Sequence, residues 1–204
     1  MLLPNSQKII LASGNKGKIK EIQALLKDYT IVTQQEFNIQ EAEETGSTFV
    51  ENAIIKARNA AHQSNLPAIA DDSGLVVDAL NGAPGVRSAR FAGPQANDQE
   101  NLQKLLKDME GIPEAQRTAR FICVIVLMRH VNDPFPIITQ ASWEGIILDK
   151  AQGTNGFGYD PIFLIPTENC SSAELPASKK NSVKPPRAST KEIKQFSISV
   201  NNIV

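Results

Sequence analysis

The stretch KIILASGNKGKIKEIQALL, residues 8–26, changes periodicity within a few positions. Lys8 to Ala12 is a short apolar run that reads as a buried strand. The run breaks at Ser13-Gly14-Asn15, after which Ile19, Ile22, Leu25 and Leu26 share one face of a helix. Strand, tight loop and helix in that order point to an α/β protein. A loop entering a helix receives free backbone N–H groups and the positive end of the helix dipole, which favours phosphate. Lys16 and Lys18 add compact positive charge there. The GxxxxGK[ST] spacing of a P-loop is absent, and taken alone the segment also fits a plain strand-to-helix turn.

Outward from this unit, Thr30 to Thr33 reads as a second strand. Thr48 followed by Glu51 is a capping-box pattern, and Ala53, Ile54, Ala57, Ala60 and Ala61 supply the apolar stripe of the helix it starts. Residues 67–77, PAIADDSGLVV, read as a strand interrupted by an acidic turn. A Gly/Pro-rich loop from Asn81 to Gly93 leads to a helix beginning near Asn97 or Asp98, with Leu102, Leu105, Leu106 and Met109 buried. Arg117 to Met128 and Ile137 to Ile147 are β-rich, and the Asn132-Asp133-Pro134 turn between them predicts a long hairpin. The glycine loop Gly153 to Gly158 precedes a short strand, Ile162 to Ile165. There is no internal repeat and no linker that divides the chain. The expectation is one α/β domain over residues 1–204, its long strands spanning two lobes.

Composition excludes several classes of function. The 204 residues are 41% hydrophobic, enough for a real core, and a net charge of -1 gives no support for a general nucleic-acid binder. Cys123 and Cys170 lie far apart, match no metal spacing and imply no disulfide framework. The N-terminal apolar stretch is too short for a signal peptide, and no run approaches membrane-spanning length. A cytoplasmic protein with no membrane partner is expected.

Three further segments carry chemistry. Glu43 and Glu44 stand before the Thr48 cap, while Asn52 and Lys56, four apart, share one helix face. A solvated helix start with dipole-favoured acids accounts for the same residues. In ADDSG, residues 70–74, two aspartates end an apolar run and are costly to bury without a positive partner. A hard divalent cation is one such partner, and magnesium commonly takes one or two carboxylates plus substrate phosphates. Strand alternation lets only one of Asp71 and Asp72 face a given site; a plain polar turn is the alternative. In GFGYDPIF, residues 156–163, the rings of Phe157 and Tyr159 offer stacking faces for a base, or plugs for a core.

In sequence order, SGNKGK (13–18), EETGSTFVENAIIKA (43–57), ADDSGL (70–75), NGAPGVRSAR (81–90) and GFGYDPIF (156–163) resemble the inosine triphosphate pyrophosphatase family, in its bacterial dITP/XTP branch. The resemblance runs from about Lys8 to Lys180. It implies an elongated mixed-sheet α/β fold with a central active-site cleft between two lobes, commonly as a homodimer. It also implies magnesium-dependent hydrolysis of ITP, dITP or XTP to the monophosphate and pyrophosphate. By the same resemblance Ser13, Gly14, Asn15, Lys16, Gly17 and Lys18 hold the triphosphate, with Lys56 a further phosphate ligand. Glu44 and Asp72 serve the metal, Asp72 activates water, and Ser73 touches the substrate. Phe157, Gly158, Tyr159 and Asp160 contact the nucleoside, Phe157 against the base, and Lys180 lies near the base. Other altered nucleotides as substrates, or nucleotide binding without turnover, are the two alternatives.

The chain departs from that pattern in its tail. The family follows the lysine with Ser-His-Arg, whereas residues 181–190 read NSVKPPRAST. Pro185 and Pro186 have no backbone N–H and no polar side-chain atom to offer a purine oxygen. Arg187 keeps its donors but is shifted by a residue, so the tail 184–204 is atypical and discrimination of ITP from ATP is expected to be weaker.

Overall fold

The computed structural model describes residues 8–14, 19, 22–23, 26 and 29–176. Its elements are β1 (Lys8–Ala12), β2 (Thr30–Thr33), α1 (Phe49–Ser64), β3 (Ala68–Val77), α2 (Asp98–Asp108), β4 (Thr118–Met128), β5 (Ile137–Ile147), β6 (Phe163–Ile165) and β7 (Cys170–Ser171). The strands form one mixed sheet in the order β2-β1-β3-β4-β5-β6-β7. β1 is parallel to both β2 and β3, and β6 is antiparallel to β5 and β7. The α/β class read from the sequence is borne out.

β1 is apolar from Ile9 to Ala12, all buried, as a strand covered on both faces requires. Within the segment that follows, the Leu26 N–H donates to the Ile22 carbonyl, a helical bond, and both side chains are buried. Four alanines, 53, 57, 60 and 61, form most of the buried face of α1. Their small side chains let the helix approach closely what it packs on. The helix ends where Asn65 adopts the left-handed conformation, φ 55°, and its N–H caps the Ala61 carbonyl.

Several local expectations need correction. β3 runs unbroken through Asp71 and Asp72, with no acidic turn. Leu106 is half-buried, while Leu102, Leu105 and Met109 are buried as expected. Gly85–Arg90 forms a 3-10 turn inside the Gly/Pro-rich loop, and a second such turn, Asp160–Ile162, delays β6 to Phe163. Cys123 and Cys170 form no disulfide, and no described helix is long and apolar enough to cross a membrane.

The chain divides into two compact units. The first takes the described residues up to Asp72 together with Val124–Gln140. The second takes Ser73–Cys123 and the described residues from Ala141 on. The second unit has its own core, in which Leu75, Leu105, Met109, Ile147 and Ile162 surround the packed rings of Trp143 and Phe163. The centroids of those rings lie 5.4 Å apart, and the Phe121 ring, tilted by 50°, lies 4.6 Å from that of Phe163.

Residues 129–136 connect the sheet neighbours β4 and β5 in the first unit, and one buried carboxylate organises them. Asp133 accepts bonds from Arg129 N–H (2.9 Å), Nε (2.8 Å) and Nη2 (2.6 Å), and from Phe135 N–H (3.1 Å). Burial opposes its charge, but these donors win and hold the carboxyl well below the usual range. A depressed carboxylate contributes stability above its ordinary value near 3.8, and that contribution is lost as pH falls. Asp133→Ala should therefore cost about 2 kcal/mol at pH 7, the value of a charge-assisted bond or two, and much less at pH 2. Chemical denaturation at both pH values reads this out; an equal loss at the two would contradict the assignment.

Candidate active site

The start of α1 is built so that three residues converge. Thr48 Oγ1 accepts the Glu51 N–H (3.2 Å), and Glu51 Oε2 accepts the Thr48 N–H and the Ser47 N–H (2.8 Å each). Glu51 is thereby occupied as a cap, with bonds from Thr48 lowering its pKa. The next residue, Asn52, is fully buried, and its Oδ1 accepts the Gly46 N–H at 2.8 Å. A Cβ on residue 46 would lie 2.6 Å from Glu51 Cβ and 2.7 Å from Asn52 Oδ1, so only glycine allows this approach.

One turn further on, Lys56 Nζ donates to Glu44 Oε1 and to Asp72 Oδ1, both at 2.9 Å. All three side chains belong to the first unit. The ion pairs are largely shielded, the Asp72 side chain keeping 11% of its exposure and that of Lys56 19%. Burial favours neutral forms of both partners, but the outcomes differ. At Lys56 the attraction of Asp72 and Glu44 exceeds the burial cost and raises the pKa. At Asp72 burial prevails, helped by the like charge of Glu44, and the pKa is raised despite Lys56 and Asn52.

Two buried polar atoms remain over. Asp72 Oδ2 and Asn52 Nδ2 close no hydrogen bond of full geometry. A leftover carboxylate oxygen beside a second carboxylate is a donor set suited to a hard cation. Among the described residues no group of three or more His, Cys, Asp or Glu is placed to hold a metal ion, so this pair would supply two of a cation's ligands. Magnesium is commonly held by one or two carboxylates together with waters and substrate phosphates.

The second unit carries the glycine loop. Gly156 and Gly158 have φ of +84° and +60°, and Phe157 between them is 55% exposed. Tyr159 and Asp160 are buried and point into the supporting structure. The Tyr159 hydroxyl donates to the Ser88 carbonyl (2.8 Å), and burial with the nearby Asp98 charge pushes its pKa up, keeping it a neutral donor. Asp160 accepts the Phe157 N–H (3.0 Å) and the hydroxyl of fully buried Ser172 (2.7 Å).

Of the residues singled out from the sequence, the structure brings together Glu44, Lys56 and Asp72. It sets Phe157, Gly158, Tyr159 and Asp160 on one loop. Ser13 is buried at the end of β1, Gly14 is exposed, and Ser73 is half-buried in β3. Asn15, Lys16, Gly17, Lys18, Lys180, Pro185, Pro186 and Arg187 lie outside the described residues. Sequence reasoning assigned no role to Asn52, Asp98 or Ser172. The spacing of Asn52 to Lys56 puts both on one helix face without giving Asn52 a task; the other two carry no local signal of a role.

Residues 9–196 match the model of the Ham1 family. The chain belongs to the Ham1 family. Among Ham1 relatives, a dITP/XTP pyrophosphatase of Vibrio parahaemolyticus serotype O3:K6 (strain RIMD 2210633) is 64% identical over 177 residues, covering 85% of this chain and 88% of that one. A dITP/XTP pyrophosphatase of Escherichia coli (strain K12) is 54% identical over 179 residues, covering 87% and 91%. The structure of a HAM1 protein from Coxiella burnetii matches with a TM-score of 0.86 at 49% identity, covering 96% of this chain and 98% of that one. The resemblance read from the motifs is borne out by these Ham1 relatives.

The charge arrangement predicts opposite stability effects at its two kinds of member. Lys56→Met leaves two shielded carboxylates without their cation and should cost about 1–3 kcal/mol. Asp72→Asn removes a carboxylate whose charge is disfavoured by burial, so Tm in metal-free buffer at pH 7 should be equal to or above wild type. Thermal denaturation of both variants checks this; an Asp72→Asn protein melting well below wild type would contradict the electrostatic reading.

Proposed function

We propose that this Ham1 protein hydrolyses ITP, dITP and XTP between the α- and β-phosphates, releasing the monophosphate and pyrophosphate with magnesium as its metal. The observation that carries the reading is the Glu44–Lys56–Asp72 cluster, in which one ammonium holds two carboxylates and one carboxylate oxygen is left over. The names of the relatives supply the substrate class.

Glu44 and Asp72 would hold the cation. Magnesium bound there offsets charge on the phosphates and on the departing pyrophosphate. Lys56, already pulled between two oxyanions, is placed to exchange one of them for a phosphate oxygen. Asp72, with its raised pKa, is suited to orient a water molecule and accept its proton as phosphorus is attacked in line. The loop from Ser13 to Lys18 is assigned to the triphosphate, Lys16 and Lys18 supplying charge. Most of the rate gain would come from positioning and electrostatics.

Phe157 offers the exposed ring on which a purine can stack. Hypoxanthine and xanthine present an oxygen at the six-position, where adenine presents an amino group. Donors aimed at that oxygen leave buried groups unpaired when adenine enters, a penalty that reaches about 10⁴-fold in sites built this way. Lys180 and Arg187 are the residues assigned to this reading, and Pro185-Pro186 removes donors from it. We place the protein in the cytoplasm as a homodimer.

Pyrophosphate release across ITP, dITP, XTP, GTP and ATP, with magnesium in excess, tests the proposal. The first three should be favoured, and replacing Lys184-Pro185-Pro186-Arg187 by Ser-His-Arg should raise the ITP-to-ATP ratio of kcat/KM by about 10-fold, one charge-assisted hydrogen bond. Release of orthophosphate instead, or nucleotide binding without any pyrophosphate, would overturn it.

A further inference from the structure

Two consecutive N–H groups of the glycine loop, those of Phe157 and Gly158, are each taken by a carboxylate. The first is held from within, by Asp160 Oδ2 at 3.0 Å. The second is held from 60 residues away, by Asp98 Oδ2 at 2.8 Å. Successive N–H groups left open would form an anion-binding nest. With both committed to negative oxygens, this stretch is not a phosphate cradle, and what it presents is the Phe157 ring.

Asp98 is itself well placed to act as an anchor. It opens α2, where Asn97 and Glu100 close a reciprocal capping box and the helix dipole favours an acidic side chain. Buried Asn101, on the next turn, accepts the Ala92 N–H (2.8 Å) and donates to the Ala89 carbonyl (3.1 Å). That ties α2 to the 3-10 turn bearing Ser88, whose carbonyl receives the Tyr159 hydroxyl. Gly158 and Tyr159 are thus both fastened to the segment 88–101, and Asp160 is fastened to Ser172. Phe157, its ring exposed and its N–H held by Asp160, immediately precedes these attachments. Gly158 adopts φ +60°, so its orientation depends on what grips its N–H.

We propose that Asp98 is a positioning residue for substrate recognition: by holding the Gly158 N–H it fixes the Phe157 ring in the attitude that receives the purine. This rests on the reading of Phe157 as the base platform. Asp98 touches neither the phosphates nor the reacting atoms, so its loss should appear in KM and leave kcat nearly unchanged.

The test is steady-state kinetics on Asp98→Ala, Asp98→Asn, Phe157→Ala and the Asp98→Ala/Phe157→Ala double variant, with inorganic tripolyphosphate as a competitor that has no base. Asp98 is exposed, so these variants keep the core intact. Asp98→Ala should raise KM for ITP about 5- to 10-fold with kcat within about 2-fold, the loss of one charge-assisted bond. Asp98→Asn, which keeps an acceptor oxygen, should restore most of the difference, and inhibition by tripolyphosphate should not move. In the Phe157→Ala background Asp98→Ala should add almost nothing. A full additive loss in that background would overturn the role of Asp98 while leaving the base platform standing. A Phe157→Ala protein with wild-type KM for ITP would overturn both.

Discussion

The Lys56 ammonium, 2.9 Å from Glu44 on one side and from Asp72 on the other, is what allows two acids to sit in the sheltered part of the first unit. Remove that cation and β3 has no reason to carry Asp72 through its apolar run. The rest of the unit is arranged to deliver it. The Thr48–Glu51 box fixes the first turn of α1, and the bond from Gly46 to Asn52 draws the preceding strand of chain onto that turn. Lys56 then emerges one turn later on the same face as Asn52. Each step is local, and each narrows where the next side chain can go.

That arrangement is not the most stable one available. Burial raises the pKa of Asp72 although a lysine touches it, so its ionised form is less favourable in the folded protein than in water. The leftover Asp72 Oδ2 and Asn52 Nδ2 point the same way. Unsatisfied buried polar atoms are uncommon in native proteins, and two of the four among the described residues belong to this cluster. In the proposed reaction a cation bound by both carboxylates together with phosphate oxygens would offset their charge and couple metal binding to substrate binding.

Much of the fold was legible because its signals are short in range. The apolar run Lys8 to Ala12, the Thr48/Glu51 spacing and the Asn132-Asp133-Pro134 turn each specify an element from neighbouring residues alone. β3 was misread because an aspartate pair looks like a turn until Lys56, sixteen residues away, is known to neutralise it. Lys56 and the metal-type acids were recoverable from motif and spacing. The resemblance implies a nucleoside contact for Asp160, and what the structure shows is that its two oxygens accept from the Phe157 N–H and the Ser172 hydroxyl. The link from Asp98 to Gly158 spans 60 residues and joins an exposed helix start to a backbone amide, which no periodicity encodes.

Glu44 and Asp72 are the proposed metal-binding pair. The direct measurement is titration of manganese, as a spectroscopic stand-in for magnesium, into the protein with a non-hydrolysable ITP analogue, followed by electron paramagnetic resonance. Wild type should bind the ion tightly in the presence of the analogue, and Glu44→Gln and Asp72→Asn should each weaken it by about 10-fold or more, as expected for loss of a carboxylate ligand. Unchanged manganese affinity in Asp72→Asn would contradict the account.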